Sequence, residues 1–225
     1  CGVNFNTFEE AEEMIRLSKL NGATHVKFQA YGKDVVDQAP IQLRPHLSSV
    51  MLDKERVLRL KGYADNLGII WFATPTSMDR VDLLEECGVS LYKIRHKDSK
   101  NIKLIDKILL LGKPVLISTS IPPLDMQARY HPLITYLICD PHYPTPLDTL
   151  HLYERIHYGV GYSNHTPHVA VPFYAVTLGA VAVEVHVTPS HDRGDIDDNV
   201  SLDFAQLRQL VEMINIYEEM TRDKK

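Results

Sequence analysis

The sequence predicts an α/β chain folded as a (β/α)8 TIM barrel, and three observations lead there. Helix and strand alternate about eight times along the 225 residues, and in several of these units an amphipathic stretch ends at glycine before a short apolar run. The apolar runs are hydrophobic on both faces rather than alternating, as parallel strands covered on both sides must be. No glycine-rich nucleotide fingerprint favours an open doubly wound sheet.

Taken in order, residues 1–4 read as the tail of a first strand, which would be truncated. The first helix starts at a capping box, Thr7 with Glu10 three residues on, and turns Phe8, Ala11, Met14, Ile15 and Leu17 inward. It stops at Asn21-Gly22, before the strand THVKFQA. The segment Tyr31 to Ser49 carries Pro40 and Pro45 in a mixed pattern without a clean helix, and is expected to be a loop on the upper rim. The unit returns at Leu67-Gly68 before IIWFAT, at Cys87-Gly88 before VSLYKI, and at Leu111-Gly112 before KPVLIST. LITYLIC at 133–139 and HYGVGYS at 157–163 are two further strands. The most apolar stretch, Val169 to Val185, is broken by Pro172, Thr177 and Gly179 and has Glu184 near its end. It reads as a helix followed by the strand AVAVEVHVT, not as a membrane span. PSHDRGDIDDNV at 189–200 is a second long loop. No linker divides the chain, so residues 1–225 form one domain.

Composition narrows the function classes. Lys and Arg number 24 against 29 Asp and Glu, a formal charge of -5, which argues against a nucleic-acid partner. Cys1, Cys87 and Cys139 are too few and too scattered for a disulfide framework or a four-cysteine zinc site, and suggest a reducing compartment. No basic region precedes an apolar core at the N-terminus, so no signal peptide is expected. A cytoplasmic protein without membrane or nucleic-acid partners is the expectation.

In a barrel, chemistry gathers at the C-terminal ends of the strands. Those ends present Lys27, Gln29, Thr74, Lys93, Ser118, Thr119, Cys139 with Tyr143, Ser163 with His165, and His186. Two lysines and several hydroxyls around one mouth suit a phosphorylated or carboxylated small molecule. His165 and His186 stand on the last two strands, and neutral imidazoles are common ligands of divalent metals. Plainer roles compete: a strand-end lysine is often a solvated rim charge, and most of the 11 histidines must be ordinary polar residues. His168, three residues after His165, is a weak candidate for a second ligand. The acidic run Asp192, Asp195, Asp197 and Asp198 does not match a calcium loop and is expected to be solvated.

Eight motifs, in order, are GVNFN at 2–6, GATHVKFQ at 22–29, FATP at 72–75, LYKI at 91–94, KPVLIST at 113–119, YPTP at 143–146, GYSNHT at 161–166 and GAVAVEVH at 179–186. In this set the chain resembles the sialic acid synthase family, the PEP-dependent nonulosonate synthases. The resemblance implies a (β/α)8 barrel that condenses phosphoenolpyruvate (PEP) with the open-chain aldehyde of an N-acyl hexosamine, assisted by Mn2+ or a similar ion. It implies PEP contacts at Lys27, Thr74, Lys93, Ser118 and Ser163, sugar contacts at Gln29, Tyr143 and Asp197, and metal ligands at His165 and His186. Asp98 falls where the family has a carboxylate associated with proton transfer, and with Lys93 is the implied catalytic pair. A homodimer is among the assemblies to test.

The departures are specific. Arg95-His96-Lys97 replaces a segment with Ser-Gly before the acid, so that His96 stands for a PEP-contacting serine. Pro141 stands for Asn or Ser, Asn164 for an Asp, Ser120 for a Gly and Phe5 for a His. His96 and Lys97 are expected to supply donors in place of the side chain lost at Pro141. The family's first-strand Glu would lie just before Cys1, and a barrel without the family's C-terminal antifreeze-like domain is the expectation. Two other readings stand beside this one. The first is an aldolase with Lys27 or Lys93 as a Schiff-base nucleophile. The second is a non-catalytic barrel that binds a phosphorylated sugar or a partner protein.

Overall fold

A computed structural model describes residues 1–120, 131–156 and 159–222. Seven strands form one parallel sheet in sequence order: β1 (His25–Ala30), β2 (Ile70–Pro75), β3 (Tyr92–Ile94), β4 (Val115–Thr119), β5 (Ile134–Ile138), β6 (Gly161–Ser163) and β7 (Val183–Glu184). Each is reached by a crossover, so the sheet curls as a TIM barrel does. Gly2 extends it by a parallel bridge to Phe28. The last strand is split: after Val185 the chain continues as β8 (His186–Val187), which pairs with β9 (Ser201–Leu202).

The seam between the first and last segments is joined by one buried side chain. Asn4 Nδ2 donates to the Val187 carbonyl at 3.1 Å and to Ser201 Oγ at 3.2 Å. Outside the sheet, α1 (Phe8–Leu20) packs on α4 (Lys54–Leu67) and on the last helix (Phe204–Thr221), so the helices at the two ends of the described residues meet.

Alternation along the strands separates core from mouth. On β1, Val26, Phe28 and Ala30 are buried beneath the helices, where Phe28 stacks on Trp71 with ring centroids 5.8 Å apart. Burying side chains of this size contributes roughly 1.5–3 kcal/mol each. Lys27 and Gln29 take the other face, in register with Phe72 and Thr74 of β2. On β6, a Cβ at Gly161 would come within 2.5 Å of Leu137 Cδ2 and 2.6 Å of the Ala182 carbonyl oxygen, so only glycine lets β5, β6 and β7 close up here.

Local expectations are corrected in three places. Residues 31–49 are not a bare loop but hold two helices, α2 (Lys33–Gln38) and α3 (Arg44–Ser49). Tertiary bonds hold them: Tyr31 Oη donates to the Leu47 carbonyl at 2.9 Å, and His46 Nε2 meets the Val3 carbonyl at 2.9 Å. The strand expected over 157–163 is ordered as strand only from Gly161, and its first two residues lie outside the described ones. At Thr7 the cap forms, but Glu10 returns to the Asn6 N–H at 2.7 Å, one residue before the expected partner.

Candidate active site at the barrel mouth

Lys27 on β1 and Lys93 on β3 reach one carboxylate, Glu184 at the end of β7. Lys27 Nζ lies 2.6 Å from Oε1 and Lys93 Nζ lies 3.3 Å from Oε2. Ser163 Oγ donates to the same Oε2 at 3.0 Å, and Lys93 also donates to Ser118 Oγ at 2.6 Å. Lys93 is only 2% exposed. Burial pushes its ammonium below the ordinary range, Glu184 opposes that drop, and Lys27 deepens it. For Glu184, burial pushes the carboxyl up, but Lys27 and Lys93 outweigh it and hold it well below the usual range. Two ammonium groups sharing one carboxylate in a water-poor pocket favour the arrival of a further anion. Thr74, beside Gln29 in the register, has a buried hydroxyl without a hydrogen-bond partner among the described residues. That hydroxyl is available to a ligand.

A second cluster adjoins the first. The His165 and His186 rings are 5.6 Å apart between centroids, and Tyr143 stands edge-on to both, at 4.9 and 5.7 Å. His165 Nδ1 meets the Asp140 carbonyl at 2.9 Å. A carbonyl only accepts, so this nitrogen carries the proton and Nε2 the lone pair. His186 Nδ1 lies 3.2 Å from Asp197 Oδ2. Burial, reinforced by His186, pushes the His165 imidazole down to about 4. Burial raises the Asp197 carboxyl, but His186 and the Tyr143 hydroxyl, 2.6 Å from Oδ1, outweigh that and hold it well below the usual range.

These donors fit a divalent cation. Two imidazoles stand together, each with Nδ1 beside an oxygen and with no hydrogen-bond partner for Nε2 among the described residues, an arrangement that suits metal-binding histidines. Among the described residues no group of three or more His, Cys, Asp or Glu side chains is placed to hold a metal, so an ion held by the two imidazoles would need water or substrate oxygens as further ligands. His168 is exposed and adds nothing here.

Asp197 is held from several sides. Its N–H donates to Asn4 Oδ1 at 3.3 Å and its carbonyl accepts from Ser201 Oγ at 2.7 Å. Gly2, at φ 53°, brings its backbone so close that a Cβ would lie 3.2 Å from Asp197 Oδ2 and 3.8 Å from Gln29 Nε2. Gln29 and Asp197 therefore flank the same point of the first segment. The acidic run is not the solvated face expected from composition. Arg193 binds Asp195 at 2.9 Å and also grips Glu10 on α1, while Asp197 is buried and only Asp192 is fully exposed.

The structure thus joins Lys27, Lys93, Ser118 and Ser163 in one cluster, and Tyr143, His165, His186 and Asp197 in another beside Gln29. Asp98 belongs to neither. It ends a 3-10 turn (His96–Asp98) after β3 and is bound by the Arg95 guanidinium. Glu184 is the central residue that sequence reasoning missed. Its signal was present: a carboxylate two residues before His186 in a run otherwise apolar, hence on the same side of an extended chain. Asn4 and Arg193 were missed as well, because their partners are far away in sequence.

The profile of the NeuB family matches residues 14–225. The N,N'-diacetyllegionaminic acid synthase of Campylobacter jejuni is 29% identical over 95% of this chain and 73% of its own length. The human N-acetylneuraminate-9-phosphate synthase is 25% identical over 92% of this chain and 66% of its own. Among solved structures, the sialic acid synthetase of Leptospira borgpetersenii, determined with citrate, superposes with a TM-score of 0.88 at 25% identity, covering 97% of this chain and 82% of that one. The chain therefore spans roughly two thirds to four fifths of these proteins.

Proposed function

The chain belongs to the NeuB family, and from that premise we propose that it is a nonulosonic acid synthase that joins PEP to an N-acyl hexosamine. The observation that carries the reading is the buried Lys93 and the partly buried Lys27 sharing Glu184, ringed by the hydroxyls of Ser118 and Ser163. Such a pocket suits a small molecule carrying both phosphate and carboxylate.

In this reading Lys27 and Lys93 hold the two anionic ends of PEP, and Thr74, Ser118 and Ser163 donate to its oxygens. Gln29, Tyr143 and Asp197 face the sugar. The methylene carbon of PEP forms a bond to the aldehyde carbon, whose oxygen takes a proton to become a hydroxyl. Water then adds to the carbon bearing the phosphate ester, that C–O bond breaks, and inorganic phosphate leaves. A divalent ion such as Mn2+, held by His165 and His186, would supply Lewis-acid polarisation of the aldehyde oxygen. Asp98 is the candidate to take the proton of the attacking water, which requires that Arg95 release it. Glu184 pairs with both lysines between turnovers. We place the enzyme in the cytoplasm, where enzymes that consume PEP find their substrate. No helix among the described residues is long and apolar enough to cross a membrane.

The test is phosphate release from PEP with Mn2+ across a panel of N-acyl hexosamines. Release with at least one sugar, lost on chelation and reduced at least about a hundredfold in Lys93→Met, is the expected result. PEP binding without release on any sugar would overturn the synthase reading in favour of a binding protein.

A further inference from the structure

We propose that His96 binds the phosphoryl group of the ligand in this site and takes up a proton as that group arrives. The inference rests on the PEP reading of the site and concerns how this chain in particular grips the anion.

His96 opens the turn that leaves β3, three residues after Lys93, and Ser120 is the first residue beyond β4. Their side chains meet, with His96 Nε2 3.0 Å from Ser120 Oγ. Lys93 and Ser118 make the corresponding link, at 2.6 Å, inside the mouth between the same two strands. The imidazole and hydroxyl thus extend the lysine–hydroxyl pair outward by one step, and both belong to one polar wall. No hydrogen-bond partner for His96 Nδ1 exists among the described residues, so that nitrogen is open to a ligand.

The surroundings explain why a proton should accompany the anion. Burial and the charges of Lys93, Lys100 and Arg155 push the imidazole below its ordinary range, and only Asp140 opposes them. Asp140 is already engaged: its Oδ1 is bonded to the backbone and ring of His142, at 2.9 and 2.6 Å, and its Oδ2 lies 3.8 Å from Arg155. Without a ligand the pocket therefore keeps His96 neutral, with Ser120 able to donate to Nε2. A phosphoryl dianion beside Lys93 reverses that balance and favours the imidazolium. The proton comes from solvent. Nε2 then donates to Ser120 Oγ, whose own O–H turns to the ligand, and the Nδ1–H, a donor already in the neutral ring, becomes a charged one. One proton taken up frees one hydroxyl donor for the phosphate and charges another. Lys97, the other candidate donor of this turn, is exposed and takes no part.

The experiment is calorimetric titration of the full chain with PEP and Mn2+ in two buffers of different ionisation enthalpy, between pH 6.5 and 8.5. Wild type is compared with His96→Gln and His96→Asn, each checked for wild-type circular dichroism. The titration of PEP itself is common to all three proteins and cancels in the comparison. Wild type should take up about one proton more than either variant, and its Kd should rise by up to about tenfold more per pH unit on the alkaline side. Equal proton uptake and parallel pH curves would overturn the role of His96 while leaving the PEP site intact. Absence of PEP binding in all three proteins would overturn the PEP reading and this inference with it.

Discussion

Replacing Glu184 by Gln removes one charge and almost no volume, and its consequence can be worked from the distances. Lys27 at 2.6 Å and Lys93 at 3.3 Å face the carboxylate. At an effective dielectric of about 20 these contacts correspond to roughly 6 and 5 kcal/mol of gross attraction, most of it offset by the cost of taking the charges out of water. What survives is the penalty of stranding two ammonium groups, one of them on a lysine 2% exposed. Breaking a buried pair in this way costs about 3–5 kcal/mol. For a domain of this size that lowers Tm by about 6–20 °C. Thermal unfolding at pH 7.5, with and without PEP, is the assay. The melting point should fall without ligand, and PEP should raise it by more in Glu184→Gln than in wild type, because the ligand then supplies the missing negative charge. Saturation at a hundred times Kd is worth about 2.7 kcal/mol in any binder, so the excess over wild type is the diagnostic quantity. A variant that melts within about 2 °C of wild type would refute the premise that Glu184 balances both lysines.

Asn4→Ala should cost about 2–3 kcal/mol in urea unfolding, because it strands the Asp197 N–H and the Val187 carbonyl in the buried seam. Arg193→Ala should raise KM for the sugar and leave PEP affinity unchanged in calorimetry, since Arg193 ties the Asp197 loop to Glu10 of α1 without touching Lys27 or Lys93. In the metal-free protein, His165 binds its proton only near pH 4, whereas the unfolded chain binds it near 6.5. The unfolded state therefore holds the extra proton within that window, and stability falls by about 3 kcal/mol as pH drops across it. Urea titrations should show a shallower loss in His165→Gln, and equal slopes for both proteins would contradict a buried neutral imidazole.

Most strands were legible because their apolar runs follow a helix-ending glycine and must be covered on both faces, a pattern that survives in one dimension. α2 and α3 were not, because neither six-residue helix carries an amphipathic period. Bonds from Tyr31 to Leu47 and from His46 to Val3 hold them, and those are set by the finished fold. The acidic loop failed for a similar reason. Four aspartates in seven residues look solvated until Arg193 reaches Glu10 across 183 positions of sequence.

Glu184 is the more instructive case, because the information lay in the strand itself. Read as an interruption of an apolar stretch, it weighed only against a membrane span. A carboxylate in a strand covered on both faces cannot be left unpaired, so it demands cationic partners at the same level of the barrel. Lys27 and Lys93 are the lysines on the other strand ends, each flanked by apolar neighbours, and each poses the same demand with the opposite sign. Charge balance among strand-end residues would have joined the three without coordinates. It would also have left one positive charge over, which is the electrostatic definition of an anion site and the feature on which the proposed chemistry depends.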